Sequence, residues 1–214
     1  MPPIHQLPGD GMKLYTSVGP NPRIVRMFMA EKGIELEKVK VDLLGAENRR
    51  EPYLSINPSG QCPALELDDG SHLAEITAIC EYLEEKKPDP SLIGRTPEER
   101  AETRMWVRRM DLNIFEPLAS GFRFAEGLKM FQSRIHVIPQ AAADMKQIAQ
   151  EKLAWLDKQI AGRSYVCGNR MTLADIMLFV WLDFGAGVGQ PINTELKTVG
   201  TIYFTMKARP SSAA

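Results

Sequence analysis

Few side chains in this sequence can do chemistry, and most of them stand where folding alone would put them. Cys62, Cys80 and Cys167 form an odd set with no C-x-x-C or zinc-type spacing, which points to a reducing compartment, the cytoplasm by default. His5, His72 and His136 lie far apart, with no acid or cysteine at ligand spacing, so no metal site is expected. Asn21-Pro22 reads as a helix start, with Asn21 as the cap and Pro22 in the first turn. The Asn21 side chain also carries an NH2 group that can donate to an anion at the helix end. Glu75 opens another helix, where the positive end of the dipole favours a carboxylate whatever else it does. The spacing of Thr172 and Asp175 is that of a capping box, which satisfies helix-end N–H groups without any ligand. Cys62, before Pro63, reads first as a small buried hydrophobe.

The elements that hold these residues follow from periodicity and punctuation. Met12 to Thr16 reads as a strand, ended by Gly19 and Pro20. A helix from about Arg23 to Lys32 puts Val25, Phe28 and Met29 on one stripe and stops at Gly33. A second strand covers about Glu35 to Val41, and a polar stretch leads to the turn-rich Asn57-Pro58-Ser59-Gly60. A hairpin follows, with strands at Ala64 to Leu67 and His72 to Ala74 joined at Asp69-Gly70, and then the helix at Glu75. Strand, helix, strand, hairpin and helix make one compact α/β unit of thioredoxin-like order, with a sheet that mixes parallel and antiparallel pairs.

From Lys86 to Gly94 the composition turns to Pro, Asp and Ser, as in an interdomain connector, and from Thr96 onward the periodicity is helical throughout. Thr96-Pro97-Glu98-Glu99 opens a long helix that Pro117 should bend or break. Further helices are expected at about Gln140 to Ile160, Leu173 to Phe184 and Thr194 to Lys207. The reading is therefore an α/β domain over residues 12–86 and an all-α domain over residues 96–214. The segment before Met12 reads as a short tail, since it lacks a basic region followed by an apolar one. With 26 Lys plus Arg against 27 Asp plus Glu there is no basic excess to gather phosphates, so nucleic acid is not an expected partner. The stretch Ile176 to Phe184 is interrupted by Asp183 and falls short of the roughly 20 residues that span a bilayer, so no membrane partner is expected.

Three segments, in order, resemble the glutathione transferase family. Asn57-Pro58-Ser59-Gly60-Gln61-Cys62-Pro63-Ala64-Leu65 is similar to the family's Asn-Pro-x-Gly-x-Val-Pro-x-Leu, whose proline is cis, with cysteine here in place of valine. Glu75-Ile76-Thr77-Ala78-Ile79 with Tyr82-Leu83 resembles Glu-Ser-x-Ala-Ile-x-x-Tyr-Leu, with isoleucine in place of serine. Gly168-Asn169-Arg170-Met171-Thr172-Leu173-Ala174-Asp175 resembles the Gly-Asp-x-x-Thr-x-Ala-Asp capping box of the helical domain. Around Gly19-Pro20-Asn21-Pro22 the pattern is closest to the bacterial Nu class and the yeast-prion-like transferases, which carry Thr-Pro-Asn there. Asn21 matches their asparagine, and Gly19 replaces the threonine.

The resemblance implies a function and a set of roles. The chain would be a transferase that joins the glutathione thiolate to a small hydrophobic electrophile, with glutathione as co-substrate and no metal. Glutathione-dependent disulfide or peroxide reduction and a noncatalytic binding protein are the alternatives. Asn21 would meet the sulfur, with Ser17 and Thr16 as alternative hydroxyls. A cis peptide before Pro63 would turn the Cys62 backbone toward the cysteinyl backbone of glutathione, as a short added strand, with Gln61 beside it. Glu75 would meet the γ-glutamyl amino group and the Ile76 N–H its carboxylate, with Thr77 as a possible hydroxyl donor. Trp106, Met110, Phe115 and Phe122 either line the electrophile pocket or, as aromatic and Met residues at helical spacing more often do, fill the core. A homodimer is implied by the family alone.

Overall fold

The computed structural model describes residues 11–214, so the N-terminal tail and His5 lie outside the described residues. The chain divides into two units: one ends at Leu92 and includes Pro210–Ala214, and the other is Ile93–Arg209.

The first unit holds a four-stranded mixed sheet. Its strands are β1 (Lys13–Thr16), β2 (Glu37–Lys40), β3 (Ala64–Glu66) and β4 (His72–Ala74), in the order β2-β1-β3-β4. β1 pairs in parallel with β2, with Tyr15 opposite Val39, and antiparallel with β3, with Tyr15 opposite Ala64. β3 and β4 form the expected hairpin, with Ala64 opposite Ala74. The parallel pair needs a crossover, and α1 (Pro20–Lys32) supplies it. α1 buries Ile24, Val25, Met27, Phe28 and Met29, and Gly33 closes it in the left-handed conformation. The short α2 (Tyr53–Ile56) follows β2, and α3 (Ile76–Lys86) follows β4 and buries Ile79, Cys80 and Leu83.

Two expectations are corrected in this unit. α1 starts at Pro20 with Gly19 as its cap residue, at φ +103, so Asn21 lies inside the first turn and caps nothing. The reason is local: Pro20 has the fixed φ of a first helical position and lacks the N–H that would need a partner there. The last five residues, expected with the helical domain, belong to the sheet unit. The Arg23 guanidinium donates to the Ser212 carbonyl at 2.7 Å, and the Ser211 hydroxyl bonds to the Glu31 carboxylate.

A buried ion pair ties α1 to α3 and to the connector. Lys32 Nζ sits 2.7 Å from Glu84 Oε2 and also donates to the Pro90 carbonyl at 2.7 Å. Glu84 in turn accepts from the Ser91 hydroxyl and the Leu92 N–H. Both Glu84 oxygens accept hydrogen bonds and Lys32 donates two, and such added bonds are the condition under which a buried salt bridge is tolerated.

The second unit is helical. α4 (Pro97–Met110) is capped by Thr96, whose hydroxyl accepts from the Glu99 N–H. A π-helical stretch, Asp111–Phe115, carries it into α5 (Glu116–Arg123), where Pro117 takes an early position. Pro117 lacks the N–H of an ordinary α-turn, and the wider turn lies immediately before it, so the expected break is an irregular stretch within a continuing helix. α6 (Leu128–Phe131), α7 (Ala142–Gln159), α8 (Leu173–Gly187) and α9 (Lys197–Lys207) complete the unit. α8 is its central helix, with every residue from Leu173 to Leu182 buried. No helix among the described residues is long and apolar enough to cross a membrane.

Candidate functional site

Strand register brings three chain segments to one end of the sheet. Continued past their ends, the β1–β3 pairing sets Ser17 against Cys62, and the β3–β4 pairing sets Pro63 against Glu75. Neighbouring strands lie only about 4.8 Å apart, so the exit of β1, the entry of β3 and the exit of β4 are adjacent. Two helices begin at that end, α1 at Pro20 and α3 at Ile76. Two prolines leave Asn21 the one free backbone N–H in the first turn of α1, whereas Ile76, Thr77 and Ala78 all offer theirs in α3, and both starts carry the positive end of a helix dipole. An anion with polar backbone fits such a place.

The loop into β3 is pinned. Asn57 Nδ2 and the Tyr53 hydroxyl both donate to the Gln61 carbonyl, at 2.9 and 2.7 Å, and Asn48 Nδ2 donates to the Gly60 carbonyl at 2.6 Å. Gly60 sits at φ +60, and a Cβ there would stand 2.9 Å from the Asn48 carbonyl oxygen, so the turn admits glycine alone. Beyond this turn the Gln61 side chain is exposed and the Cys62-Pro63 peptide is cis. The Cys62 N–H and C=O make no backbone hydrogen bond among the described residues. The Cys62 thiol is buried at 5% exposure with Val41 and Tyr53, its Sγ 3.5 Å from the Tyr15 carbonyl oxygen. Burial pushes this thiol up to about 11, against smaller opposing pulls from Tyr53 and Arg26. Cys80 and Cys167 are also free and buried, and both thiols are pushed up by burial. None of the three has the exposed, electropositive setting of a reactive thiolate.

Glu75 has the least ordinary backbone in this region. It occupies the cap position of α3 at φ 70, ψ 125, and its side chain caps nothing. That conformation lies outside the small left-handed pocket that non-glycine residues visit, and holding a side chain there costs on the order of 1–3 kcal/mol. The carboxylate is exposed and makes no hydrogen bond or ion pair among the described residues. Ile76, next to it, offers only its N–H, as expected of an isoleucine at a helix start.

The three candidates for the sulfur contact separate on hydrogen bonding. The Ser17 hydroxyl donates its only proton to the Val41 carbonyl at 2.6 Å. Thr16 is buried, and its Oγ1 accepts from Arg26 at 2.8 Å. Asn21, partly exposed in the first turn of α1, keeps both side-chain N–H protons uncommitted among the described residues. Tyr15 is committed elsewhere: its hydroxyl donates to Glu66 at 2.7 Å, and burial and then that bond raise it to about 12. Arg26, partly buried beneath the strand exit, is a residue that sequence reasoning missed. Its position beside the apolar stripe of α1 carries no signal in the sequence.

The remaining candidates sort plainly. Trp106, Met110 and Phe115 are 4%, 0% and 1% exposed, and so belong to the core of the helical unit. Phe122 is partly exposed and stands edge-on to Phe131 and Phe184. Asp175 is fully buried and serves Thr172 and Val166 in the capping box. His72 lies 3.9 Å from Glu66, and the described residues contain no group of His, Cys, Asp and Glu that could hold a metal.

The chain is similar to known proteins in both of its units. The family model described as "Glutathione S-transferase, N-terminal domain" matches residues 18–86, and that described as "Glutathione S-transferase, C-terminal domain" matches residues 139–191. Glutathione S-transferase 2 of Saccharomyces cerevisiae is 31% identical over 198 residues, covering 92% of this chain and 85% of that protein. The crystal structure of a glutathione S-transferase domain-containing protein from Marinobacter aquaeolei superposes with a TM-score of 0.87 at 33% identity, covering 93% of this chain and 98% of the other. A glutathione transferase homolog from Sulfitobacter, solved with bound glutathione, superposes with a TM-score of 0.80 at 26% identity, covering 95% of each chain.

Proposed function

The chain belongs to the glutathione S-transferase family, and from that premise we propose that it binds glutathione at the strand ends of the sheet unit and transfers the thiolate to a small hydrophobic electrophile. The observation that carries the site is Glu75. Its strained backbone and its carboxylate, which has no partner among the described residues, bring the fold no capping bond, and they make sense as a feature held for a ligand. In this reading Glu75 accepts from the γ-glutamyl ammonium and the Ile76 N–H donates to the γ-glutamyl carboxylate. The Cys62 N–H and C=O, next to cis-Pro63, pair with the cysteinyl backbone, and Gln61 lies alongside. These contacts bring the cysteinyl sulfur toward the start of α1 and Asn21.

A free thiol titrates near 8.5, so at neutral pH only a few per cent is thiolate, and each unit of lowering raises that fraction up to tenfold. The Asn21 side chain, its backbone N–H and the positive end of the α1 dipole favour the anion, and the released proton passes to solvent. The thiolate then attacks the electrophilic atom, a carbon–sulfur bond forms, and the leaving group departs with its bonding electrons. The tripeptide is assigned to the sheet unit and the apolar contacts of the electrophile to the helical unit, with Phe122 the partly exposed candidate. A homodimer in the cytoplasm completes the proposal, and three unpaired cysteines support the compartment.

A substrate panel with glutathione, spanning aryl halides, hydroperoxides and a small disulfide, tests this reading. Conjugation of the aryl halide with release of halide is the expected result. Turnover of the disulfide or hydroperoxide alone would make the protein a reductase, and no turnover with any of them would contradict transferase activity.

A further inference from the structure

Two cations on α1 are withdrawn from solvent, and they are treated differently by their surroundings. Lys32 has its own carboxylate, Glu84, at 2.7 Å. Arg26 is partly buried, and its hydrogen bonds among the described residues are to neutral groups: Nη1 donates to Thr16 Oγ1 at 2.8 Å and to the Ser17 carbonyl at 2.9 Å. No carboxylate lies within ion-pair distance of Arg26 among the described residues. A guanidinium does not escape burial by losing its proton, so a half-buried one without a counter-ion leaves a standing positive potential in the space beside it. Burial and then the neighbouring Arg23 destabilise the charged form of Arg26, the direction expected of a cation that lacks an anion.

The space beside it is the mouth of the site. Ser17, whose carbonyl Arg26 holds, directly follows β1, and the β1–β3 pairing continued past its end sets it against Cys62. An added strand on the Cys62 backbone therefore runs past the Arg26 end of β1. We propose that Arg26 is the counter-charge of the bound glutathione sulfur, a positioning residue that favours thiolate over thiol while its fork fixes the Thr16-Ser17 strand exit. The inference rests on the glutathione site proposed above and adds to it the source of the positive potential. The thiol loses its proton to solvent, no bond to Arg26 forms, and the charge acts across space.

The groups facing Arg26 make the test clean. They are Arg23 on α1, Cys62 at the entry of β3 and, behind Cys62, the Tyr53 phenol on α2. Cys62 is pushed up to about 11 and Tyr53 is raised further, both chiefly by burial, so neither changes charge between pH 5 and 9. A titration of bound thiol in that range reports the ligand sulfur.

The experiment compares wild type with Arg26→Gln, which removes the charge and retains a donor, and with Arg26→Lys, which retains the charge and loses the fork. The ultraviolet absorbance of bound glutathione thiolate is followed against pH, and S-methylglutathione, which has no thiol to ionise, is titrated calorimetrically into each protein. In Arg26→Gln the pKa of bound glutathione should rise by about one unit, while the affinity for S-methylglutathione stays within twofold of wild type. In Arg26→Lys the pKa should stay close to wild type. An unchanged pKa in folded Arg26→Gln would overturn the proposal. So would a full-unit rise in Arg26→Lys, which decides the matter if Arg26→Gln does not fold. Failure of wild type to bind S-methylglutathione would instead sink the glutathione site itself, and with it the proposal.

Discussion

The N-terminus of α8 and the N-terminus of α3 both carry an acid within a turn of the helix start, and the two carboxylates live in opposite surroundings. Asp175 is fully buried: its Oδ1 accepts from the Val166 N–H at 2.7 Å, and its Oδ2 accepts from the Thr172 N–H at 2.8 Å and from the Thr172 hydroxyl at 3.2 Å. Glu75 is exposed, sits at φ 70 and caps nothing. A carboxylate whose lone pairs are filled by its own chain has been used for folding, and the same group left open on a strained backbone is available to a ligand. The contrast repeats with charge reversed in Lys32, paired with Glu84, and Arg26, which has no acid beside it among the described residues. Satisfaction of hydrogen bonds, more than residue type, separates scaffold from site in this molecule.

The comparison breaks if the two acids can exchange roles. The largest effect is expected at Asp175→Ala, which strands the N–H groups of Val166 and Thr172 in the core of the helical unit and should destabilise the protein by about 3–5 kcal/mol. Urea unfolding followed by circular dichroism measures it, and a loss below about 1 kcal/mol would show that the capping box is not what holds α8. The second effect concerns pH. Burial pushes the Asp175 carboxyl up to about 6, whereas the unfolded chain would titrate it near 3.9. Because the folded pKa is the higher, the contribution of this group is fully present below about pH 4 and is lost as pH rises through about 6. Its size is on the order of 1–3 kcal/mol. Unfolding free energies of wild type and Asp175→Asn across pH 4 to 7 should therefore converge or cross, and parallel curves would remove Asp175 from the account.

Asn21 sharpens the comparison from the side of the site. The structure removes its capping role, so Asn21→Ala should leave stability within about 0.5 kcal/mol of wild type. It should raise the pKa of bound glutathione by roughly one unit, about 1.4 kcal/mol, the worth of one hydrogen bond to a charged group. A drop in stability with an unchanged pKa would return Asn21 to the scaffold. The smallest effect is expected from the cysteines. A protein with Cys62, Cys80 and Cys167 all replaced by Ser or Ala, once shown to be folded, should keep turnover within a few-fold, since the role proposed for Cys62 is through its backbone. Abolished turnover would point to a thiol-dependent enzyme.

Local features were legible in the sequence, and long-range ones were not. Asp69-Gly70 announces the β3–β4 hairpin, and Thr172 with Asp175 announces the start of α8, because turn and cap chemistry depend on neighbours a few residues away. The resemblance of Glu75 to a family position drew attention to it, yet its positive φ has no signature in the residue itself. Lys32 looks like an ordinary last-turn cation until Glu84, 52 residues away, is folded against it. Arg23 meets Ser212 across 189 residues, which is why the chain end was expected in the wrong unit. The start of α1 is ambiguous in the sequence for a smaller reason: either of two prolines, Pro20 and Pro22, fits a first turn, and the sequence does not choose between them.

The central claim is that Glu75 is held open and strained for glutathione. Calorimetric titration of glutathione into wild type, Glu75→Ala and Glu75→Gly, with unfolding measured on the same proteins, tests it most directly. Both variants should bind glutathione more weakly by about 1.5–3 kcal/mol, the worth of a hydrogen bond to a charged group. Glu75→Gly should in addition be more stable than wild type by about 1 kcal/mol, since glycine adopts positive φ without strain. Unchanged affinity in the two folded variants, with no gain in stability for Glu75→Gly, would contradict the account.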